Sequence, residues 1–414
     1  MNIRLLFLTA ETYPTFRVDV NVLFGKVLPQ HGIQSDIVTG KTPGETNAEA
    51  WRGGETYLCD VSTSSSKKHM QMFLHGIKHL VKSDTTRYQA IQVRDMPLLA
   101  TVGLIVARLK GLKFFYWMSY PMPEAQILLA GDRGWSEGLI KFIYPWLSGR
   151  VGRFLLYKIV IPRADHIFVQ SDQMKEDLVK RGTQPQKMTP VPMGVDTETL
   201  QNIDIHPTDD SRLDGKRVLV YLGILEYARK INILFEALAI VKQQIPNILL
   251  VLVGDTYHDA DREWLKSKAD EAGVNDQLVW TGWLPMHEGW RYVRAAELGL
   301  SPIPRGFLLD CGSPTKVPEY LALGVPVVCN DNPDQEQVIN KSGAGLCVPY
   351  SAENFANAII KMLNLDKAEK NKMQIQGKDY VDHFRSYRKI GDNVAKSYQH
   401  LLSKKITARM IDET

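Results

Sequence analysis

The stretch SPTKVPEYLALGVPVV, Ser313 to Val328, combines a polar helix start, a short helix and a buried strand. Ser313 and Pro314 are typical of a helix start, because a serine hydroxyl can cap free amides and proline is tolerated in a first turn. Gly324 ends the helix, and the uniformly apolar VPVVC then begins a strand. A helix that leads directly into such a strand is typical of a parallel sheet covered by helices on both faces.

The same alternation of apolar strands and helices continues along the chain. The second half contains the strand candidates RVLVYLG, NILLVLVGD, QLVWTGW, ELGLSPI and AGLCVP, and the first half contains IRLLFLT, QAIQVR, KFFYWMS and DHIFVQS. Helical patterns at 18–31 and 97–110 separate strands of the first half. A chain of 414 residues exceeds what one core usually supports. We therefore predict an α/β protein with two doubly wound Rossmann-like domains that face a cleft.

The predicted domain boundary lies in the segment 197–217, which is polar, rich in turn residues and without apolar periodicity. It separates an N-terminal domain of residues 1–200 from a second Rossmann-like domain of residues 201–385. Only helical patterns follow residue 350, and the last of them, in residues 386–414, is expected to return to the first domain.

Composition excludes several classes of function. The chain has 50 Lys and Arg residues against 46 Asp and Glu, and the net charge of +4 is too weak to indicate a nucleic-acid partner. Its four cysteines lack the paired spacing of a zinc site, which favours reduced thiols and a cytoplasmic location. Neither a secretion signal nor a membrane-spanning segment is expected from the distribution of apolar residues.

One stretch of the first half combines cations with large apolar side chains. The sequence GLIKFIYPWLSGRVGRFLLYKIVIPRA, residues 138–164, contains Lys and Arg but no acidic residue. Such a segment can lie in the interface of the cytoplasmic membrane and attract anionic lipid. It can equally form a pair of core helices with solvated basic edges. Pro145 and Gly149 interrupt the helical pattern, so both interpretations stay open.

Lys316 and Glu319 lie on one face of the predicted helix that follows Ser313. A lysine in a first turn adds a full positive charge to the partial positive charge of the helix end, which suits a phosphate or diphosphate. The carboxylate of Glu319 can accept hydrogen bonds from the paired hydroxyls of a ribose. Ser313 and Thr315 complete the set of donor-binding candidates here. The alternative is a surface ion pair, worth only tenths of a kcal/mol.

A second phosphate-binding candidate follows the first strand of the second domain. In RVLVYLGILEYARKINILFEAL, Gly223 ends the strand, and Arg229 and Lys230 precede a helix. Ligands collect at the carboxyl ends of parallel strands, and the planar fork of a guanidinium fits phosphate oxygens. A cation at a helix start opposes the helix dipole unless an anion is bound, which disfavours a purely structural role for Arg229.

Six motifs carry a family resemblance: VPMGVD, LVYLGIL followed by ARKINILFEAL, LVLVGD, LVWTGWLP, AAELGLSPIPRG and SPTKVPEYLALGVPVV. On these motifs the chain resembles the family 4 glycosyltransferases of the GT-B fold, most of all the branch that builds bacterial surface polysaccharides. The resemblance implies retaining transfer of a sugar from a nucleoside diphosphate sugar, with UDP favoured over GDP. It further implies a saccharide acceptor bound mainly by the first domain. If the stretch 138–164 meets a membrane, a polyprenyl-linked saccharide is the favoured acceptor. We predict no metal or other cofactor.

The resemblance also implies roles for individual residues. Arg229 and Lys316 match the diphosphate ligands of the family, and Glu319 matches its ribose-binding glutamate. The segment TGWLP, which contains Gly282 and Trp283, matches the segment that meets the nucleotide base.

The second domain departs from the family pattern at two positions. The family often has a further glutamate eight residues before Glu319, where this chain has Cys311. Either the adjacent Asp310 is its catalytic replacement, or this chain lacks that role. Ile224 stands where the family has a phosphate-binding arginine. Arg229, Lys230 and Lys316 would then neutralise the diphosphate.

The first domain departs in its polar loops. The family's histidine near the reacting sugar is absent from FYWMSYPMPEA, in which Ser119 and Glu124 are the acceptor-side candidates. The family's glycine-rich phosphate loop is replaced by TFRVDVN, in which Arg17 and Asp19 are candidates.

Metal binding and two rival functions complete the predictions. Asp259 and Asp261 form the Asp-x-Asp pattern with which other glycosyltransferases hold manganese, but their position favours a helix start, and we predict no metal site. A hydrolysing nucleotide-sugar epimerase shares the expected architecture. A non-catalytic subunit that binds a nucleotide sugar would also be consistent with the departures.

Overall fold

The protein is described by a computed structural model over residues 2–15, 17–41, 51–133 and 139–412. Two compact units divide the chain: one contains 1–193 and 387–414, and the other contains 194–386. Val195 pairs with Ser386 in an isolated parallel bridge, so the second unit begins just before the segment 197–217 that was predicted to hold the boundary.

The first unit is built on a parallel sheet whose strands are β1 (Ile3–Thr9), β2 (Ile33–Lys41), β3 (Thr56–Asp60), β4 (Ala90–Arg94), β5 (Lys113–Met118), β6 (His166–Val169) and β7 (Met188–Pro190). The strand order is β3-β2-β1-β4-β5-β6-β7. In β4 every residue is buried, as expected for a strand covered by helices on both faces.

The helices of the first unit are α1 (Leu28–Gln30), α2 (Ser65–Lys82), α3 (Pro97–Leu109), α4 (Met122–Arg133), α5 (Leu139–Phe154), α6 (Ile161–Arg163), α7 (Asp172–Lys180) and the C-terminal α17 (Tyr387–Asp412). Two π-helical segments, Asp19–Val27 and Leu155–Val160, continue into α1 and α6, and a 3₁₀ turn spans Pro185–Lys187. Gly138, the first residue of the basic stretch 138–164, lies outside the described residues.

The second unit has its own parallel sheet, with strands β8 (Arg217–Leu222), β9 (Ile248–Val253), β10 (Leu278–Gly282), β11 (Leu298–Ser301), β12 (Val327–Asn330) and β13 (Gly345–Val348). Their order is β10-β9-β8-β11-β12-β13. The order reverses direction at β8, so the loops that follow β8 and β11 diverge to opposite faces and leave room for a ligand between them.

The helices of the second unit are α8 (Thr197–Asn202), α9 (Ile233–Gln244), α10 (Asp259–Ala272), α11 (Met286–Ala295), α12 (Phe307–Asp310), α13 (Lys316–Ala322), α14 (Pro333–Ser342), α15 (Ala352–Leu363) and α16 (Lys367–Tyr380). Short 3₁₀ turns span Ser211–Leu213, Tyr227–Arg229 and Asn275–Gln277, and a π-helical segment spans Val381–Arg385. None of the helices that the structure describes combines the length and apolarity needed to cross a bilayer.

The predicted α/β class with two doubly wound sheets is confirmed. Each strand candidate named from the sequence coincides with a strand, whereas β2, β3 and β7 were not predicted. The patterns at 18–31 and 97–110 coincide with the π-helix that leads into α1 and with α3.

Candidate functional site

Three glycines lie at the carboxyl ends of the first three strands of the second unit and let the backbones there approach each other. Gly223, Gly254 and Gly282 have φ angles of 142°, 133° and 72°, which L side chains rarely adopt. A Cβ atom on Gly254 would lie 2.3 Å from the carbonyl oxygen of Gly223. The glycines therefore let the backbones after β8, β9 and β10 approach closely at the carboxyl edge of the sheet.

Lys316, the first residue of α13, extends across the end of β8. A Cβ atom on Gly223 would lie 2.9 Å from its Cε and 3.1 Å from its Nζ, so glycine leaves room for the lysine side chain in this position. The Nζ atom lies 5.0 Å from the centroid of the Tyr221 ring, a cation–π geometry. In the part of the chain that the structure describes, Lys316 forms no ion pair with a carboxylate.

The charges around Lys316 at the end of β8 favour a bound anion. The pKa of Lys316 is lowered to about 8, first by burial and then by the positive charge of Arg229, while Glu319 acts in the opposite direction. Burial raises the pKa of Glu319 to about 7, against the positive charge of Lys316. Two cations that destabilise each other beside an open strand end would both be stabilised by a phosphate group.

Tyr320 fixes the position of α13 relative to the sheet. The backbone N–H of Leu222 donates to the Tyr320 hydroxyl at 2.7 Å, and this hydroxyl lies 3.4 Å from the carbonyl oxygen of Leu300. Its ring packs on Gly299, where a Cβ atom would lie 2.4 Å from the ring. The sequence analysis did not identify Tyr320, although a buried tyrosine one residue after Glu319 is a usable signal for an anchor.

The predicted capping role of Ser313 is wrong. The Ser313 hydroxyl donates to Asp334 Oδ2 at 2.9 Å and accepts from Arg385 Nη1 at 3.2 Å, so it is committed elsewhere. The helix begins at Lys316, with Thr315 at the cap position and no side-chain cap. This start places Pro318 in the first turn, where its missing N–H costs no helical hydrogen bond.

The other predicted residues of the second unit have mixed surroundings. Asp310 Oδ1 accepts from Arg305 Nε at 2.8 Å, so Asp310 is held in an ion pair. Lys230 is exposed, and its φ of 45° lies in the left-handed region. The exposed Trp283 ring lies 4.9 Å from the ring of Tyr257, which was not predicted. Together these two rings form an aromatic pair after β9 and β10.

The first unit contains a buried ionic network at the carboxyl ends of its strands. Arg94, at the end of β4, donates to Asp19 Oδ2 at 2.9 Å and to Glu11 Oε1 at 3.1 Å. Arg17 Nε lies 3.4 Å from Asp19 Oδ1. Burial acts to raise the pKa of Asp19, but the positive charges of Arg94 and Arg17 outweigh it and hold the pKa below its ordinary value.

Asp95 joins Ser119 to the same network. The carboxylate of Asp95 accepts hydrogen bonds from the backbone N–H of Ser119 at 2.8 Å and from the Ser119 hydroxyl. Burial raises the pKa of Asp95, although Arg94 opposes the shift. Neither Arg94 nor Asp95 was predicted, although a charged pair at the carboxyl end of a strand is a signal that the sequence offers.

Glu124 stands apart from these hydrogen bonds. Both of its carboxylate oxygens are buried without a hydrogen-bond donor, and Arg181 Nη1 lies 3.4 Å from Oε1. The Arg181 guanidinium also stacks over the ring of Tyr157 at 4.5 Å. The structure therefore brings Arg17, Asp19 and Ser119 into one network and gives Glu124 a separate partner.

The Asp-x-Asp pattern lies in the first turn of α10. Asp259 pairs with Arg262 at 3.1 Å, and the Asp261 carboxylate lies 3.4 Å from the Thr256 hydroxyl. Acidic residues in a first turn stabilise a helix through its dipole. Within the described ranges, no group of three or more His, Cys, Asp or Glu side chains could hold a metal ion.

Comparison with protein-family models gives two matches that together span most of the chain. The model for glycosyl transferases group 1 matches residues 204–379, and the model for the glycosyl transferase 4-like domain matches residues 25–194. Arg229, Lys316 and Glu319 lie in the first of these matches.

Two curated proteins illustrate the sequence similarity. An alpha-monoglucosyldiacylglycerol synthase of Streptococcus pneumoniae is 28% identical over 153 residues, which cover 36% of this chain and 32% of the relative. A Bacillus subtilis protein assigned to teichuronic acid biosynthesis as glycosyltransferase TuaC is 27% identical over 223 residues, or 53% of this chain and 51% of the relative. The chain thus matches about a third of the length of one relative and about half of the other.

Solved structures extend the similarity to the whole fold. Sucrose-phosphate synthase from Thermosynechococcus elongatus has a TM-score of 0.74 at 17% identity, covering 97% of this chain and all of that chain. Anabaena HepE, solved in complex with UDP-glucose, has a TM-score of 0.65 at 14% identity, covering 96% of this chain and all of the other. At these identities the similarity concerns the fold.

Proposed function

Because the chain belongs to the group 1 glycosyltransferases of the GT-B class, we propose that it moves a sugar, of the hexosyl type, from a nucleoside diphosphate sugar to a saccharide or lipid-linked saccharide. The donor nucleotide is proposed to be UDP in preference to GDP, and the anomeric configuration to be retained. The UDP-glucose complex of Anabaena HepE supports this class of donor.

The arrangement of Lys316, Arg229 and Glu319 carries the proposal. Lys316 crosses the end of β8 without a carboxylate partner among the described residues, and Arg229 lies close enough to lower its pKa. The two cations suit the diphosphate, and the half-buried Glu319, one turn further along α13, suits the ribose hydroxyls. Gly282 ends strand β10 and Trp283 follows it, and there we place the nucleotide base.

The proposed chemistry rests on charge stabilisation at the leaving group. The bond between the anomeric carbon and the diphosphate oxygen breaks, and the acceptor oxygen bonds to the same face of that carbon. The acceptor proton passes to the departing phosphate, whose growing negative charge Lys316 and Arg229 stabilise more than they stabilise the intact donor. Asp310 remains the proposed replacement for the family's second carboxylate.

We propose that no metal ion takes part. Lys316 and Arg229 can supply the positive charge that a divalent ion supplies elsewhere. The two aspartates of the Asp-x-Asp pattern already interact with Arg262 and Thr256.

The acceptor is proposed to bind at the strand ends of the first unit, near Arg17, Asp19, Ser119 and Glu124. The match to a synthase named for monoglucosyldiacylglycerol supports a lipid-linked acceptor. Such an acceptor would bring the protein to the cytoplasmic membrane surface as a peripheral protein, through the stretch 138–164.

Calorimetric titration with UDP, GDP and ADP in the presence of a chelator tests the donor site. We expect one nucleotide to bind, and Lys316→Ala to weaken its binding about 10- to 100-fold, the range for charge-assisted contacts to phosphate. Lys372→Ala, which removes an exposed lysine from α16, is the matched control and should bind like the wild type.

Equal binding by wild type and Lys316→Ala would refute the phosphate-binding role, and binding that requires added manganese would refute metal independence. Incubation with the matching nucleotide sugar then separates the rival functions. Free sugar and nucleotide released without an acceptor would indicate an epimerase, and binding without turnover with any acceptor would indicate a non-catalytic subunit.

A further inference from the structure

The helices of the first unit divide between the two faces of its sheet. Connections between parallel strands are right-handed, so the helices after β3, β4, β5 and β6 lie opposite the connection from β1 to β2. The helices that follow β3, β4, β5 and β6 include α2, α3, α4, α5 and α7. Among them, α3 packs against both α2 and α5. On the other face, α17 packs against the π-helix Asp19–Val27. We name the surface of α2, α3 and α5 the α2/α5 face.

On α5, large apolar side chains are exposed at helical spacing. Tyr144, Leu147, Val151 and Phe154 are three or four positions apart and therefore form one stripe along the helix. Tyr144 is 65% exposed and Phe154 60%. A continuous apolar stripe on a helix of a globular protein normally packs into the core. Here the stripe is turned away from it.

The neighbouring helices extend this apolar surface. Met70, Leu74 and Val81 on α2 and Ile105 and Leu109 on α3 are each more than half exposed. Within the described part of the first unit, all large exposed apolar residues except one on the edge strand β3 lie on helices of this side of the sheet. A distribution confined to one side marks an interaction surface.

The α2/α5 face also carries charge of one sign. The sequences of α2, of α3 and of residues 139–163 contain lysine and arginine but no aspartate or glutamate, although the whole chain has 46 acidic residues. Lys78, Lys82, Arg150 and Arg153 are exposed, and the Arg150 guanidinium lies 4.8 Å from the Trp146 ring. The cations therefore flank the apolar side chains.

The geometry points to one docking surface, formed jointly by α2, α3 and α5, that binds the anionic phospholipid surface of a membrane. Its apolar side chains would enter the boundary between headgroups and acyl chains, and its lysines and arginines would contact the phosphates. The cations of α2 and α5 match a uniformly negative lipid surface, whereas α3 contributes apolar side chains, because its Arg108 is paired with Asp165 at 2.7 Å. This inference deepens the proposed function, on which it rests for the lipid-linked acceptor, and it assigns to α2 and α3 a role beyond the stretch 138–164.

Co-sedimentation of the full-length protein with phospholipid vesicles tests the surface. The vesicles contain phosphatidylcholine alone or with phosphatidylglycerol, and the variants are Lys78→Glu/Lys82→Glu on α2, Arg150→Glu/Arg153→Glu on α5 and Leu147→Ser/Phe154→Ser. We expect each pair of changes to weaken binding to the anionic vesicles about tenfold or more. Neutral vesicles should bind the wild type at least about tenfold more weakly than anionic ones.

Arg388→Glu/Lys396→Glu is the matched control, because it makes the same charge change on α17, on the other face of the sheet. It should stay within about twofold of the wild type. Wild-type binding by the α2 variant would overturn the joint surface, and equal losses in variant and control would show a net-charge effect only. Nucleotide titration of each variant reports folding, and a wild type that binds vesicles but no nucleotide would contradict the proposed function while supporting this surface.

Discussion

Lys316 and Glu319 have pKa values displaced towards each other, to about 8 and about 7. Burial disfavours the charged form of both side chains, and Arg229 further disfavours the charge of the lysine. A site that weakens its own charges in the free protein gains most when a ligand with opposite charge arrives. The affinity for a nucleoside diphosphate should therefore depend on pH close to neutrality.

The direction in which affinity changes with pH can be derived for each side chain separately. A bound diphosphate stabilises the protonated lysine and raises its pKa, so binding takes up a proton and affinity falls as pH rises above about 8. Ribose hydroxyls stabilise the ionised glutamate and lower its pKa, so affinity falls as pH decreases below about 7. We expect the tightest binding between these values, measured by calorimetric titration at a series of pH values.

Single substitutions assign the two limbs of this pH profile. In Lys316→Arg the guanidinium stays charged, so the loss of affinity at high pH should disappear. In Glu319→Gln the part of the affinity loss at low pH that comes from the protein should disappear. Protonation of the nucleotide itself lowers the affinity of all variants alike. An unchanged high-pH limb in Lys316→Arg would show that another group titrates there.

Some residues of the candidate site could be predicted from the sequence and others could not. Lys316, Glu319 and Arg229 lie in local patterns whose charges and spacing already indicate phosphate and ribose chemistry. The hydrogen bonds of Ser313 lead to Asp334 and Arg385, which are remote in sequence. No local pattern could reveal that this hydroxyl is occupied, and the capping prediction failed for that reason.

At the scale of elements, α13 depends on a close contact with β11. Gly299 leaves room for the buried Tyr320 ring, whose hydroxyl accepts a hydrogen bond from the backbone of β8. The helix that carries Lys316 and Glu319 is thus positioned by its interior side, with the Lys316 side chain at the end of β8.

Gly299→Ala tests this contact. The new Cβ atom would lie 2.4 Å from the Tyr320 ring, so we expect a loss of roughly 1–3 kcal/mol in the free energy of unfolding, as for other overpacked cores. Displacement of α13 should also weaken nucleotide binding. The measurements are urea denaturation and calorimetric titration.

Gly131→Ala is the control, because a Cβ atom on Gly131 would have no atom within 4 Å on the exposed side of α4. It should leave nucleotide binding unchanged and stability equal or slightly higher, since alanine favours a helix. If Gly299→Ala were as stable as the wild type, α13 would be free to shift and would not be fixed by Tyr320.

The strands were easier to predict from the sequence than the side of a helix that faces solvent. The strand β9 is uniformly apolar, and β8 is apolar after Arg217, because helices cover both faces, and this composition is visible in the sequence. An apolar helix stripe, by contrast, looks the same whether it packs inward or faces solvent. The stretch 138–164 therefore left two interpretations open, and only the structure shows that the stripe on α5 is exposed.

At the scale of the whole molecule, the chain passes between the units twice, near Met193 and near Ser386. In the second unit, Val195 N–H donates to the carbonyl oxygen of Arg385 at 2.8 Å, so the two crossing segments are hydrogen-bonded there. The Arg385 side chain donates to Asp334 Oδ1 at 2.6 Å and to the Ser313 hydroxyl at 3.2 Å. The ends of the second unit are thereby tied to each other and to the segment that leads to Lys316.

Arg385→Met therefore tests whether the units are independent. Asp334 would remain buried without its partner, which should cost the second unit about 3–5 kcal/mol of stability, whereas Arg385→Met/Asp334→Leu should recover most of that loss. Arg212→Met, at an exposed pair with Asp210, should cost less than about 1 kcal/mol.

Hydrogen exchange resolved by peptide measures the two units of Arg385→Met separately. It should show faster exchange in β12 and α14 and unchanged protection in β1 and β4. Binding to vesicles, measured by co-sedimentation, should also be unchanged. Equal loss of protection in both units would mean that they unfold together and that the crossing at Arg385 stabilises the whole chain.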